Sequence, residues 1–220
     1  MEITHLGHAC LLVAAGGRRV LLDPGTLSDL EGVRDLDAVV ITHQHPDHCD
    51  PARVPDLLRA NPRAQVLVEP QTAEVLTQAG LGDRTESLHT GATVDLGGLS
   101  LTPVGELHAV IHPYVARVGN MGVVLRAEDE PSLFHPGDAL DGNPGEVDLL
   151  GVAVNAPWAK VAETIEFVRR VAPRRGVVPI HDGLLSDVGR RLRGQLVEPA
   201  AHVAGDGMRF RTIEDSFGFT

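Results

Sequence analysis

Four side chains able to bind metal stand close together in His43-x-His45-x-Asp47-His48, and the four residues before Thr42, Ala38-Val39-Val40-Ile41, are wholly apolar. No other segment constrains the fold as tightly. A short apolar run bounded by polar residues reads as a strand buried on both faces. The chain must therefore put a His-rich turn at the end of an interior strand. Side chains alternate along an extended segment, so His43 and His45 share one side, where two imidazoles can grip one cation. Asp47 and His48 follow as the chain turns and can face a second cation. Imidazole with carboxylate suits zinc, and also iron or manganese. A solvated His-rich turn is the rival reading, but it gives no reason for four ligands directly after a buried strand.

The flanking pattern predicts a layered α/β arrangement. Short strands are expected at Glu2–Thr4, Cys10–Ala14 and Arg19–Leu22, with a hairpin at Gly16-Gly17 and a turn at Asp23-Pro24-Gly25. Asp50-Pro51 has the form of a helix start, with the helix running to about Ala60. A strand at Ala64–Val68 and a helix at Pro70–Ala79 follow, then a strand meander over Glu86–Glu106 turning at Gly97-Gly98. A hairpin is predicted from Met121–Arg126 and Ser132–His135, and strands at Asp148–Val154, Val177–Ile180 and Met208–Ile213. Helices are expected over Trp158–Val171, with Val161, Ile165, Val168 and Val171 near the 3.6 period, and over Leu184–Leu196. The glycine signatures of dinucleotide folds and P-loops and the G-x-S-x-G nucleophile elbow are all missing.

Composition narrows the function classes. The 220 residues are enough for one domain, read as 1–220, without disulfide staples. A net charge of −11 argues against a nucleic-acid partner, and one Trp, one Tyr and five Phe leave little for base stacking. No apolar run approaches the roughly 18 residues that span a bilayer, so no membrane partner is expected. The first residues carry no signal-peptide pattern. With reduced Cys10 and Cys49, this points to the cytoplasm. A homo-oligomer is compatible with all of this.

H-x-H-x-D-H after such a strand resembles the metallo-β-lactamase superfamily, and the resemblance runs over residues 2–182. Asp23 in Leu21-Leu22-Asp23-Pro24-Gly25 is similar to the family's early aspartate, and His43, His45, Asp47 and His48 match its central motif. His108 in Gly105-Glu106-Leu107-His108-Ala109 resembles the third histidine, Asp138 in His135-Pro136-Gly137-Asp138 the bridging carboxylate, and His181 in Pro179-Ile180-His181-Asp182 the last histidine. Leu6-Gly7-His8-Ala9-Cys10 and the compact length are most similar to small bacterial members, including the lactonase-like branch that acts on sugar phosphates.

The resemblance implies a four-layer αββα sandwich and two divalent metals, Zn2+ first and Mn2+ or Fe2+ as alternatives. It assigns His43, His45 and His108 to one metal and Asp47, His48 and His181 to the other, with Asp138 bridging. Asp47 and Asp138 then serve catalysis, around a hydroxide held between the metals. His108 is favoured over His112 because it lies nearer the strand end. Asp23 is either a turn residue or a carboxylate orienting metal-bound imidazoles. His8 is a candidate for lining the site, as is His112 for touching substrate. His135 is expected to pack. His5, His89 and His202 are read as surface histidines and Cys49 as a small buried residue. Trp158 and Lys160, at a helix start within reach of the site mouth, are read first as a rim residue and a solvated charge. The expected activity is metal-dependent hydrolysis of a small ester or lactone, with or without a phosphate. A phosphodiesterase, an iron-dependent thiol or persulfide dioxygenase and a non-catalytic metal-binding scaffold are the alternatives.

Overall fold

A computed structural model describes residues 1–197 and the short strand Phe210–Arg211. One sheet holds β1 (Glu2–His5), β2 (Leu11–Ala15), β3 (Arg18–Leu22), β4 (Ala38–Ile41), β5 (Gln65–Val68), β6 (Thr85–Ser87) and β13 (Phe210–Arg211), in the order β13-β1-β2-β3-β4-β5-β6. The other holds β7 (Val94–Asp95), β8 (Leu99–Val104), β9 (Gly122–Ala127), β10 (Leu133–His135), β11 (Leu149–Ala153) and β12 (Gly176–Ile180), in the order β12-β11-β10-β9-β8-β7. Both sheets are mixed. The β1–β2–β3 run is antiparallel, whereas β3, β4, β5 and β6 are parallel; in the second sheet β10, β11 and β12 are parallel.

The alternation of β4 shows how the layers form. Ala38 and Val40 point into a core between the sheets, where they join Leu11, Val13 and Leu67 of the first sheet and Leu101, Val123, Leu125 and Leu149 of the second. Val39 and Ile41 point the other way, onto Val54, Leu57 and Leu58 of α1 (Val54–Ala60) and Leu76 of α2 (Pro70–Gln78). The second sheet does the same with Phe134, Leu150 and Val152 against Phe167 and Val168 of α3 (Val161–Val171). The interior strands β4 and β11 are buried along their whole length because each sheet is covered on both faces, and the result is the αββα sandwich. No helix among the described residues is long and apolar enough to cross a membrane.

Several boundaries differ from expectation, each for a local reason. Helix α1 starts at Val54, because Asp50 caps the preceding turn instead, accepting from the backbone N–H groups of Ala52 and Arg53. Glu86 belongs to β6 on the edge of the first sheet, so the meander reduces to the β7–β8 hairpin at Gly97-Gly98. In α3 the buried face is Thr164, Phe167 and Val168, since Val161 and Ile165 lie to its side. The last helix, α4, spans Asp187–Val197. Of the predicted strand at Met208–Ile213, Phe210–Arg211 pairs in parallel with β1, and the remainder lies outside the described residues, as does His202.

Candidate metal centre

The carboxyl end of β4 and the loops after β8, β10 and β12 converge at one edge of the sandwich. There the residues singled out in the sequence come together. His43, His45 and His108 form one group; His8, Asp47, His48 and His181 form a second; His43, His48 and Asp138 form a third between them. Within each group the ligand atoms all lie within 4.8 Å of one another. Asp138 touches both halves: Oδ2 is 3.4 Å from His108 Nε2 and 3.2 Å from His181 Nε2, while Oδ1 is 3.2 Å from His48 Nε2. His112 stays apart, exposed, with Nδ1 accepting from the Tyr114 N–H.

Hydrogen bonds at the far side of each ring decide which nitrogen faces the centre. His48 Nδ1 donates to Asp23 Oδ2 at 2.7 Å, His108 Nδ1 to the Ala109 carbonyl at 2.7 Å and His181 Nδ1 to the Asn155 carbonyl at 2.6 Å. His43 Nδ1 lies 3.1 Å from the Thr42 hydroxyl, which itself donates to Asp23 Oδ2 at 2.7 Å. In all four rings Nδ1 is turned to an outer partner, which leaves Nε2 aimed at the centre as the atom a cation would take. Asp23 therefore orients His48 directly and His43 through Thr42, and it accepts from the Thr42 N–H as well. It is no mere turn residue.

The buried polar atoms are left in need of a partner. His48 Nε2, His108 Nε2, His181 Nε2 and Asp138 Oδ1 make no aligned hydrogen bond, and buried polar groups rarely remain so. These orphaned atoms and the imidazole–carboxylate donor set fit divalent zinc, iron or manganese. Electrostatics agrees. Burial, then neighbouring imidazoles, hold His43 and His45 below the usual imidazole range. Burial opposes charge on His48, but Asp138 and Asp23 outweigh it and raise that ring well above its ordinary value. His181 is likewise buried, yet Asp138 and Asp47 lift it to about 9. Against burial, His48, His108 and His181 hold the Asp138 carboxyl well below the usual range. In the metal-free state, protons on His48 and His181 thus compensate the carboxylates that cations would otherwise neutralise.

Backbone geometry marks the same place. Among the described residues six non-glycine residues have positive φ, and three of them are His8 (56°), Asp23 (46°) and His181 (62°). Left-handed backbone at such residues is costly and clusters at functional sites. Gly137 is required for a different reason. At φ +60°, an added Cβ would lie 2.3 Å from Asn120 Oδ1 and 2.7 Å from Thr42 Oγ1. His8 is a neutral ring, lowered by burial, that accepts from Gly183 N at Nδ1 and donates from Nε2 to Asp47 Oδ2 at 3.1 Å.

The family described as "Beta-lactamase superfamily domain" matches residues 2–181. The chain belongs to this superfamily. A "UPF0173 metal-dependent hydrolase" of Azorhizobium caulinodans is 30% identical over 207 residues, covering 83% of this chain and 86% of its own. "Protein Rv0786c" of Mycobacterium tuberculosis is 42% identical over 201 residues, covering 90% and 92%. The metallo-beta-lactamase fold protein YhfI from Bacillus subtilis superposes with a TM-score of 0.64 at 15% identity, covering 94% of each chain. The protein is accordingly a metal-dependent hydrolase of the metallo-β-lactamase superfamily.

In this superfamily member, two residues with direct contacts in the site escaped the sequence reading and a third was read too modestly. Thr42 adjoins the motif and its link to Asp23 could have been sought there. Asn120 had no local signal; it is fully buried and holds the Asp138 turn, accepting from Asp138 N at 2.9 Å and donating to the Pro136 carbonyl. Trp158, read as a rim residue, reaches Asp138. His5, read as a surface residue, is buried and its Nε2 donates to the His8 carbonyl at 3.0 Å. His135 packs as expected, bonded to the Ala9 carbonyl. Cys49 is a core residue whose thiol burial pushes up to about 12, and Lys160 is solvated.

Proposed function

We propose that the protein uses two divalent cations, zinc foremost, to hydrolyse a small ester or lactone. The observation that carries this is Asp138, a single buried carboxylate whose Oδ2 reaches histidines of both halves. His43, His45 and His108 would hold one cation and Asp47, His48 and His181 the other, with Asp138 shared. When bound, such cations supply hydroxide at neutral pH and polarise the bond to be cleaved. The chain's own residues do the rest. Asp23, Thr42 and the Ala109 and Asn155 carbonyls fix the ligand tautomers, so little reorganisation is left for the reaction. Asp47 is the most open of the carboxylates, with about a third of its side chain exposed, and His8 Nε2 holds its Oδ2. Asp47 is thus placed at the mouth to relay the proton released by the attacking water to a leaving group.

The test is elemental analysis of reconstituted full-length protein together with turnover of generic lactones, aryl esters and bis-aryl phosphodiesters. Close to two cations per chain and turnover of an ester or lactone are expected. Turnover of phosphodiesters alone would transfer the reading to that substrate class, and oxygen consumption with a thiol or persulfide would replace hydrolysis. Asp138→Asn should lose one cation first and lower turnover by orders of magnitude. Retention of two cations and full rate in that variant would refute the shared-carboxylate role.

A further inference from the structure

The loop between β11 and α3 supplies two contacts to the centre. Its Asn155 carbonyl accepts from His181 Nδ1, and three residues later the Trp158 indole Nε1–H donates to Asp138 Oδ2 at 3.1 Å. Among the described residues this indole is the one side chain making an aligned hydrogen bond to the Asp138 carboxylate, since the histidine contacts lack alignment. The ring also spans both halves, edge-on to His108 at 5.6 Å and to His181 at 6.5 Å between centroids. A half-buried indole that served only as an apolar rim would leave its N–H to water. Here the N–H is spent on the oxygen that both halves share.

We propose that Trp158 is a positioning residue: its N–H fixes the plane of the Asp138 carboxylate so that Oδ2 faces both cation sites. This rests on the dinuclear reading above. A carboxylate free to rotate about its Cβ–Cγ bond presents its two oxygens interchangeably, whereas a donor bonded to one of them removes that freedom before any cation arrives. Outer partners of ligands commonly matter by about 10–100-fold in metal affinity, and a bond to the shared ligand acts on both halves at once.

The chain contains a single tryptophan, which makes the test direct. In 15N-labelled full-length protein one indole N–H resonance is present, and it can be followed without and with zinc. A hydrogen-bonded indole should exchange slowly with solvent, shift when zinc is added, and shift in Asp138→Asn. Trp158→Phe keeps a ring and removes only the donor, while Trp158→Ala removes both. Chelator competition should show zinc held about ten-fold or more weakly in Trp158→Phe, with kcat lowered and KM nearly unchanged on whichever ester the wild type turns over. A purely packing role predicts that Trp158→Phe matches wild type and only Trp158→Ala is impaired; that result overturns the proposal, as does an indole N–H that exchanges freely and ignores Asp138→Asn. If the wild type takes up no zinc while its indole signal keeps the signature of a bond to Asp138, the failure lies in the dinuclear reading, and the positioning role falls with it.

Discussion

Asp23→Asn separates the orienting carboxylate from the candidate ligands it touches. The carboxylate is fully buried and accepts three hydrogen bonds at 2.7 Å, from Thr42 N, Thr42 Oγ1 and His48 Nδ1. An amide of the same size cannot satisfy all three. With its NH2 in the Oδ1 position it meets the Thr42 N–H, two donors face to face, and an unsatisfied buried donor costs about 1–3 kcal/mol. With its NH2 in the Oδ2 position it meets His48 Nδ1, which can accept only by moving its proton to Nε2, the atom aimed at the centre. The second orientation keeps the fold and blocks the ligand. Affinity at the half containing His48 should fall about 10–100-fold, or about 1.4–2.8 kcal/mol at 1.4 kcal/mol per decade. The half containing His43 should weaken less, because the Thr42 hydroxyl oxygen can accept from the new amide and from His43 Nδ1 alike. The assay is stepwise zinc competition with a chromogenic chelator, beside thermal unfolding without metal. An Asp23→Asn variant that folds and binds both cations within a factor of about two of wild type would refute the tautomer argument.

His108→Ala should lower metal content and the stability that metal confers, whereas His112→Ala, at an exposed ring outside the cluster, should leave metal content intact; elemental analysis of the two variants decides. Thr42→Val, which cuts the link from Asp23 to His43 and spares the bond to His48, should weaken the opposite half from Asp23→Asn, read by the same competition assay. The raised His181, at about 9 against an ordinary 6.5, stabilises the metal-free fold fully below about pH 6.5 and loses that contribution as pH rises through about 9. Zinc must displace that proton, so affinity should rise over the same window. Thermal midpoints in chelator should therefore fall, and the gain on adding zinc should grow, between these pH values; parallel curves would sink the assignment.

The central motif was legible because four candidate ligands close in sequence also lie together in space, and the end of β4 needs only local alternation to be read. His108, Asp138 and His181 were placed by resemblance to a family, and their convergence depends on two sheets docking, which no local pattern encodes. The choice between His108 and His112 turned on distance from a strand end; the structure puts His108 in the cluster and leaves His112 exposed. Trp158 was undervalued because its apolar body fits a rim and its single polar atom is visible only when Asp138 is beside it. Asn120, 18 residues from Asp138, was invisible for the same reason. The start of α1 was misplaced because an Asp-Pro pair caps a turn and a helix with the same hydrogen bonds, and Asp50 serves the turn.

The candidate ligands are split between the two sheets: His43, His45, Asp47 and His48 follow β4 of the first, and His108, Asp138 and His181 follow strands of the second. A cation held by both groups can be grasped only after the sheets have docked, late in folding. Interactions absent from the transition state leave the folding rate nearly unchanged and slow unfolding instead. Bound metal would then act as a timer on the lifetime of the native chain: metal-starved protein would fold at the ordinary speed but come apart sooner, and proteases acting on the opened state would remove it first.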